Sequence, residues 1–234
     1  MDISDLARRL LDRRDSADAP LRIVQTGHPA LRRRAAGAVA RLDAGLAELL
    51  PELADAMTLT MREAPGVGLA APQIGLPLQM VVVEDRYAGD EGEDEEDDLL
   101  ERRPLALRAL LDPAVELLGT EQVYAWEGCL SVDGFSSIVP RSRRVRLRAT
   151  ELLPTGELRE VDEEHRGWTA RILQHETDHL HGVLCHDRSV PRSFSDNTYV
   201  PRLAGLPEAV RRLGLTGDIE RLGDGEVVVD TARR

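Results

Sequence analysis

The segment His175-Glu176-Thr177-Asp178-His179 constrains this chain more than any other, because two imidazoles four residues apart share one face only if the residues between them are helical. Trp168 and Ile172 continue that face at spacings of four and three, and Gly182 is placed to end the helix. The fold must therefore set a helix, with a carboxylate beside its first histidine, against whatever completes a metal site. A catalytic ion takes three protein ligands and keeps one position open. Cys129, His165, His181, Cys185, His186 and distant carboxylates are the candidates for the third.

Two of these lead in different directions. Metzincin proteases read His-Glu-x-x-His-x-x-Gly-x-x-His, and Gly182 falls where that glycine belongs, but Cys185 holds the final position and His186 stands one residue late, rotated off the face. Cys129 competes through its setting, Glu127-Gly128-Cys129-Leu130-Ser131, in which a strand end carries a thiol into a tight bend. Taken alone, such a cysteine reads as a small buried hydrophobe. With only two cysteines, ligation or burial is favoured over a disulfide framework.

Around the helix the pattern is mostly strand. Val145, Leu147 and Ala149 alternate with Arg144, Arg146 and Arg148, Pro154-Thr155-Gly156 supplies a turn, and Leu158 to Val161 returns, which predicts antiparallel hairpins. Segments 106–115 and 123–131 read as two further strands, and Leu78 to Val83 as a buried one. Ile3, Leu6, Leu10 and Leu11 predict a short helix. A longer one runs from Leu42 to about Met61 with Leu46, Leu49, Leu50, Leu53, Met57 and Met61 on one stripe, where Pro51 marks a bend or a restart. Beyond Asp187 the only helical signal spans Glu208 to Leu213.

Charge is unevenly placed. Of a formal −12, residues 84–101 hold −10 (eleven acids against Arg86), which leaves −2 elsewhere. This run is expected to be a solvated loop, and the nearly neutral body predicts no direct nucleic-acid recognition. With 42% hydrophobic and 31% charged residues among 234, the composition is that of one globular domain with appendages. No apolar run approaches the roughly 20 residues that cross a bilayer. The charged N-terminus reads as neither secretory signal nor transit peptide, so a cytoplasmic location is expected.

Gly66-Val67-Gly68-Leu69-Ala70-Ala71-Pro72-Gln73 fits the dinucleotide fingerprint on paper, with Glu84 at a ribose-contact distance. Its context is wrong: it follows a helix, and Pro72, Gly75 and Pro77 prevent another before the next strand. Glycines here instead expose a backbone edge to a ligand.

Together, Gly66-Val67-Gly68-Leu69-Ala70-Ala71-Pro72-Gln73, Glu127-Gly128-Cys129-Leu130-Ser131 and Gln174-His175-Glu176-Thr177-Asp178-His179-Leu180 resemble, in this order, the three motifs of peptide deformylases. Similarity begins near Ile23 to Arg32 and continues through Val139-Pro140-Arg141 to Gly182-Val183-Leu184. The resemblance implies a divalent metal, natively Fe(II) with Zn, Ni or Co as substitutes, held by Cys129, His175 and His179. It assigns Glu176 as acid–base, and Gln73 with the backbone N–H of Leu130 as oxyanion donors. It implies hydrolysis of the formyl group of N-formylmethionyl nascent peptides, bound by strand addition between Gly66, Val67, Gly68 and Gly128. Val67 and Ile172 would line the methionine pocket.

The chain departs from the family at Val132 to Ser136, where an Arg is common, at Asp112-Pro113 in place of Asn-Pro, and at Cys185 in place of an aromatic. The expected fold is α+β, with mixed or antiparallel sheet surrounding a central metal-binding helix. Residues 1–187 form the catalytic domain, 85–104 are an acidic insertion, and 188–234 are an extension to which ribosome positioning is one assignable role. The rival readings are a metzincin-like protease and an inactive metal-binding paralogue.

Overall fold

A computed structural model describes residues 2–87, 100–203, 205–215 and 228–230. Helix α1 (Ile3–Asp12) packs on α2 (Ala44–Glu63), whose first turn is capped by Asp43 accepting from Leu46 N. Pro51 lies inside α2, which runs on as one helix of 20 residues. The predicted stripe Leu46, Leu49, Leu50, Leu53, Met57 and Met61 is buried throughout.

Strands β1 (Gly68–Ala70), β2 (Met80–Asp85), β3 (Leu105–Gly128), β4 (Phe135–Leu152) and β5 (Leu158–Arg166) pair in sequence order, every pairing antiparallel. Helix α3 (Gly167–Leu180) follows β5 directly. Strand β6 (Ser195–Asp196) joins the start of β4, α4 (Leu206–Leu213) follows, and β7 (Val228–Asp230) pairs with β3.

The sheet has a hydrophobic layer on each face. Met80 and Val82 pack toward α1 and α2, while Val81 and Val83 pack with Leu110, Val145, Leu147 and Ala149 against Ala170, Ile172, Leu173 and Leu180 of α3. This is why β2 is buried at every position and reads as a continuous apolar run. Arg144 and Arg146 face outward on β4, paired with Glu164 at 3.0 Å and Asp162 at 2.5 Å. The α+β architecture with the histidine-bearing helix against the sheet is as expected.

Two expectations change. The separate strands at 106–115 and 123–131 are one strand of 24 residues ending at Gly128, and it absorbs Pro113 and Gly119 at register breaks between Leu111 and Ala114 and between Leu118 and Gln122. The acidic run does not begin in solvent: Glu84 and Asp85 are buried residues of β2, with Arg62 forking onto Glu84 at 2.7 and 2.8 Å and Arg102 onto Asp85 at 2.7 and 2.9 Å. Glu101, at its other end, accepts from Arg143 at 3.1 Å. Residues 88–99, the middle of the expected loop, lie outside the described residues.

Candidate metal centre and peptide cleft

Helix α3 places His175 and His179 on one face, their rings 5.0 Å apart at 68°. Strand β3 stops at Gly128 because the next residues turn, Val132 N donating to Cys129 O at 2.9 Å, and that turn aims Cys129 at the two imidazoles. Cys129 Sγ is 3.4 Å from His179 Nε2, and the ligand atoms of Cys129, His175 and His179 all lie within 4.8 Å of one another. A tetrahedral ion with bonds of about 2.3 Å to sulfur and about 2.1 Å to nitrogen separates those atoms by about 3.6 Å, so the three donors fit a Zn-sized or Fe-sized divalent ion.

Electrostatics agree with the donor set. Burial, and the neighbouring His175, push His179 down to about 4, leaving it neutral with a lone pair to donate. Burial alone would lower His175, but hydrogen bonds to Cys129 and Glu127 hold it well above the usual imidazole value. A hydrogen bond from Cys185, then His175, lowers Cys129 against its own burial.

Glu176 is 4% exposed, and its Oε2 has no partner among the described residues. Burial, the largest influence, raises it above the usual carboxylate value, while His175 and His179 oppose the rise. An unpaired buried carboxylate is costly and marks a site of use. Gln73 is held by Ala70 N donating to its Oε1 at 2.8 Å, which leaves Nε2 toward Ser131 Oγ (3.4 Å) and Cys129 Sγ (3.8 Å). Leu130 lies at the cleft, its carbonyl accepting from Gln25 Nε2 at 3.0 Å.

A cleft of about 580 Å³ opens here, lined on one bank by Gly66, Val67 and Gly68 and on the other by Gly128 and its neighbours, with Ile172 between. The reason for the glycines differs from the expectation. A Cβ on Gly68 would stand 2.3 Å from Glu176 Oε1, and one on Gly66 2.8 Å from Leu130 Cδ1. At Gly68 the Glu176 side chain itself fills the space a Cβ would need, whereas at Gly66 only the tip of Leu130 would have to give.

The rival ligands are placed elsewhere or occupied. His186 bonds Ser137 Oγ through Nδ1 at 2.8 Å and stacks edge-on against Phe194, so the one-residue offset does rotate it away. Cys185 comes close, grouped with Glu127 and His175 within 4.8 Å, but both oxygens of Glu127 are taken by Arg141 at 3.0 Å each. Glu127 was legible only as a motif letter. In the structure its Oε2 also reaches His175 Nδ1 at 3.1 Å and its Oε1 accepts from Arg171 at 2.5 Å, an ion network that ties β3 and β4 to α3.

The sequence profile of the polypeptide deformylase family matches residues 20–194. The chain belongs to that family. Peptide deformylase 3 of Streptomyces avermitilis is 43% identical over 199 residues, 84% of each chain, and peptide deformylase 1 of Streptomyces coelicolor is 41% identical over 198 residues, 85% of this chain and 86% of that one. Among solved structures, a class I type b peptide deformylase of Acinetobacter baumannii with Met-Ala-Ser bound superposes with a TM-score of 0.60 at 30% identity, covering 73% of this chain and 99% of that one. The Thermotoga maritima peptide deformylase does so with 0.56 at 34%, covering 73% and 97%. This deformylase is therefore a metal-dependent hydrolase that removes the N-formyl group from nascent peptides. Among the described residues no helix is long and apolar enough to cross a membrane.

Proposed function

We propose that Cys129, His175 and His179 hold one divalent ion, Fe(II) natively with Zn, Ni or Co able to replace it, and that Glu176 is the general acid–base in releasing formate from N-formylmethionyl peptides. The observation that carries this reading is a buried carboxylate, one oxygen of which has no partner among the described residues, beside a sulfur–nitrogen–nitrogen donor set. When bound, the ion supplies a Lewis acid that acidifies water and polarises the formyl carbonyl.

The chain's own residues do the rest. Glu176, raised by burial toward the range of a working base, takes a proton on Oε2 and returns it to the leaving amine. Gln73 offers its amide hydrogens, held in direction by Ala70 N, and with the Leu130 N–H stabilises the oxyanion that develops. Gly66, Val67, Gly68 and Gly128 present backbone to an extended peptide, and Val67 and Ile172 line the methionine pocket.

Residues 1–187 form the catalytic unit in this reading, with 85–104 as its insertion and 188–234 as an extension; the enzyme works in the cytoplasm on chains emerging from the ribosome. The Acinetobacter baumannii relative, solved with Met-Ala-Ser bound, supports the substrate assignment. The test is formate release from formyl-Met-Ala-Ser by anaerobically purified protein, with metal analysis of the same sample. One Fe per chain and formate as product are expected. Cleavage of internal bonds would establish the protease, and metal without turnover the inactive paralogue.

A further inference from the structure

The chain has two cysteines, and the fold brings them together. Cys129 is half-buried on the wall of the cleft, while Cys185 is buried and takes no part in lining it. The two thiols hydrogen-bond to each other, and a ring nitrogen of His175 lies within 4.8 Å of each sulfur. Both residues sit in turns. Val132 N donates to Cys129 O at 2.9 Å, and Cys185 opens the short 3₁₀ turn Cys185–Asp187, with Arg188 N donating to its carbonyl at 3.0 Å. Cys185 is also one of the positions at which the chain departs from its family.

Contact between two thiols has a chemistry of its own. A disulfide needs sulfurs about 2.05 Å apart and Cβ atoms about 3.8 Å apart, so it closes with little backbone movement only between cysteines that already meet. Cys129, at the cleft, is the sulfur a dissolved oxidant reaches. Cys185 stands behind it with its thiol against that sulfur. One accessible sulfur with a second poised to resolve it is the arrangement in which thiol oxidation is reversible. Cys185 is free for that role, because Cys129, His175 and His179 already supply the three donors of the metal site.

We propose that Cys129 and Cys185 are a peroxide-responsive pair, in which oxidation joins them in a disulfide and takes the sulfur donor from the metal site. This rests on the reading of Cys129 as a ligand. First, the Cys129 sulfur attacks one oxygen of hydrogen peroxide; the O–O bond breaks, hydroxide leaves and is protonated to water, and Cys129 becomes a sulfenic acid. Then the Cys185 sulfur attacks the sulfur of Cys129; the S–O bond breaks, and the departing hydroxide takes the Cys185 proton. Two thiols have given up two electrons and two protons, and peroxide has become two waters. The site is left with two protein donors, fewer than a catalytic ion takes, and deformylation stops until a dithiol restores both cysteines. Cys185 thereby keeps Cys129 from the irreversible steps to sulfinic and sulfonic acid.

The experiment exposes the full chain, loaded with Zn because that ion has no redox chemistry, to hydrogen peroxide alongside Cys185→Ala. Intact mass, thiol titration, Zn released to a colorimetric chelator and formate release from formyl-Met-Ala-Ser are read before and after dithiothreitol. The unsubstituted chain is expected to lose both thiols with a mass lower by about 2 Da, to yield a Cys129–Cys185 linked peptide on digestion, to release its Zn and to lose more than about tenfold in turnover. Dithiothreitol with added Zn should restore it. Cys185→Ala should instead gain about 32 or 48 Da at Cys129 and stay inactive after reduction. The pair is overturned if both thiols survive, if Cys129 is over-oxidised while Cys185 stays a free thiol, if the disulfides join separate chains, or if the disulfide forms and leaves Zn and turnover in place. Mass and thiol count need no turnover, so a chain that releases no formate before exposure fails the catalytic reading and leaves the pair still measurable.

Discussion

Glu127 Oε2 sits 3.1 Å from Nδ1 of His175, and that contact decides which nitrogen of the imidazole faces Cys129. The same carboxylate is pinned by the fork of Arg141 and by Arg171. Burial pushes Glu127 upward, but the two guanidinium charges override it and hold the carboxylate well below its usual value. A charge so deep persists only because it is paired on every side.

Glu127→Gln keeps the shape and removes the charge. The expected result is a loss of roughly 3–5 kcal/mol in stability, since Arg141 and Arg171 lose their common counter-charge. Metal affinity should fall roughly 10- to 100-fold as His175 loses its orienting partner. Denaturant unfolding and competitive chelator titration measure the two effects separately; a variant with native metal affinity would show that His175 needs no orientation from Glu127.

The two cysteines should behave differently. Cys129→Ala is expected to lose metal and activity together. Cys185→Ala should retain both and give up roughly 1 kcal/mol for the buried sulfur beside Cys129. Metal analysis after dialysis decides between them, and the opposite pattern would move the third ligand to Cys185.

Acid should weaken the fold through named carboxylates. Glu84 is lowered by its hydrogen bonds to Arg62, and Glu151 by Arg108 and Arg159 against the opposing effect of burial, both from an ordinary value of 4.5. A lowered folded pKa means the unfolded chain binds more protons, so the stabilisation is fully present above that ordinary value and is lost as pH falls through the folded pKa. Thermal scans should therefore show a difference between the native chain and the Glu84→Gln, Glu151→Gln double variant at pH 7 that shrinks steadily below about pH 4.5. A gap that stays constant down to pH 3 would contradict the assignment.

These pairs also explain what was legible in the sequence and what was not. The stripe of α2 and the Arg144, Arg146, Arg148 alternation on β4 are periodic, and periodicity is a local property that packing then obeys. Cys129, His175 and His179, whose donor atoms the structure brings within 4.8 Å of one another, were readable because each sits in a short ordered motif. Glu84 and Asp85 looked solvated because their partners, Arg62 and Arg102, come from other elements, and an ion pair has no sequence spacing. Pro113 and Gly119 suggested breaks that bulges in β3 absorb. Asn197 carried no signal at all, since only the fold brings the chain after Asp187 back to the cleft.

The described ends of the acidic run, Asp85 and the chain at Arg102, bear on the cleft. Arg102 stacks over Trp168, a cleft residue, at 5.4 Å while pairing with buried Asp85. Replacing residues 90–98 with a Gly-Ser linker should change kcat/KM by less than about twofold, since the sequence of that run is like-charged and holds none of the three motifs. Arg102→Ala should raise KM by loosening Trp168. Equal losses in both variants would show that the whole insertion shapes the cleft.

The central claim is that Glu176 moves protons and does not hold the metal. Its Oε2 has no partner among the described residues, and a Cβ on Gly68 would stand 2.3 Å from its Oε1. Turnover of formyl-Met-Ala-Ser by Glu176→Gln, with metal content measured in the same preparation, tests this most directly. The account predicts a full complement of metal and a rate lower by roughly 10² to 10⁴-fold. A fully metallated variant working at near-native rate would contradict it.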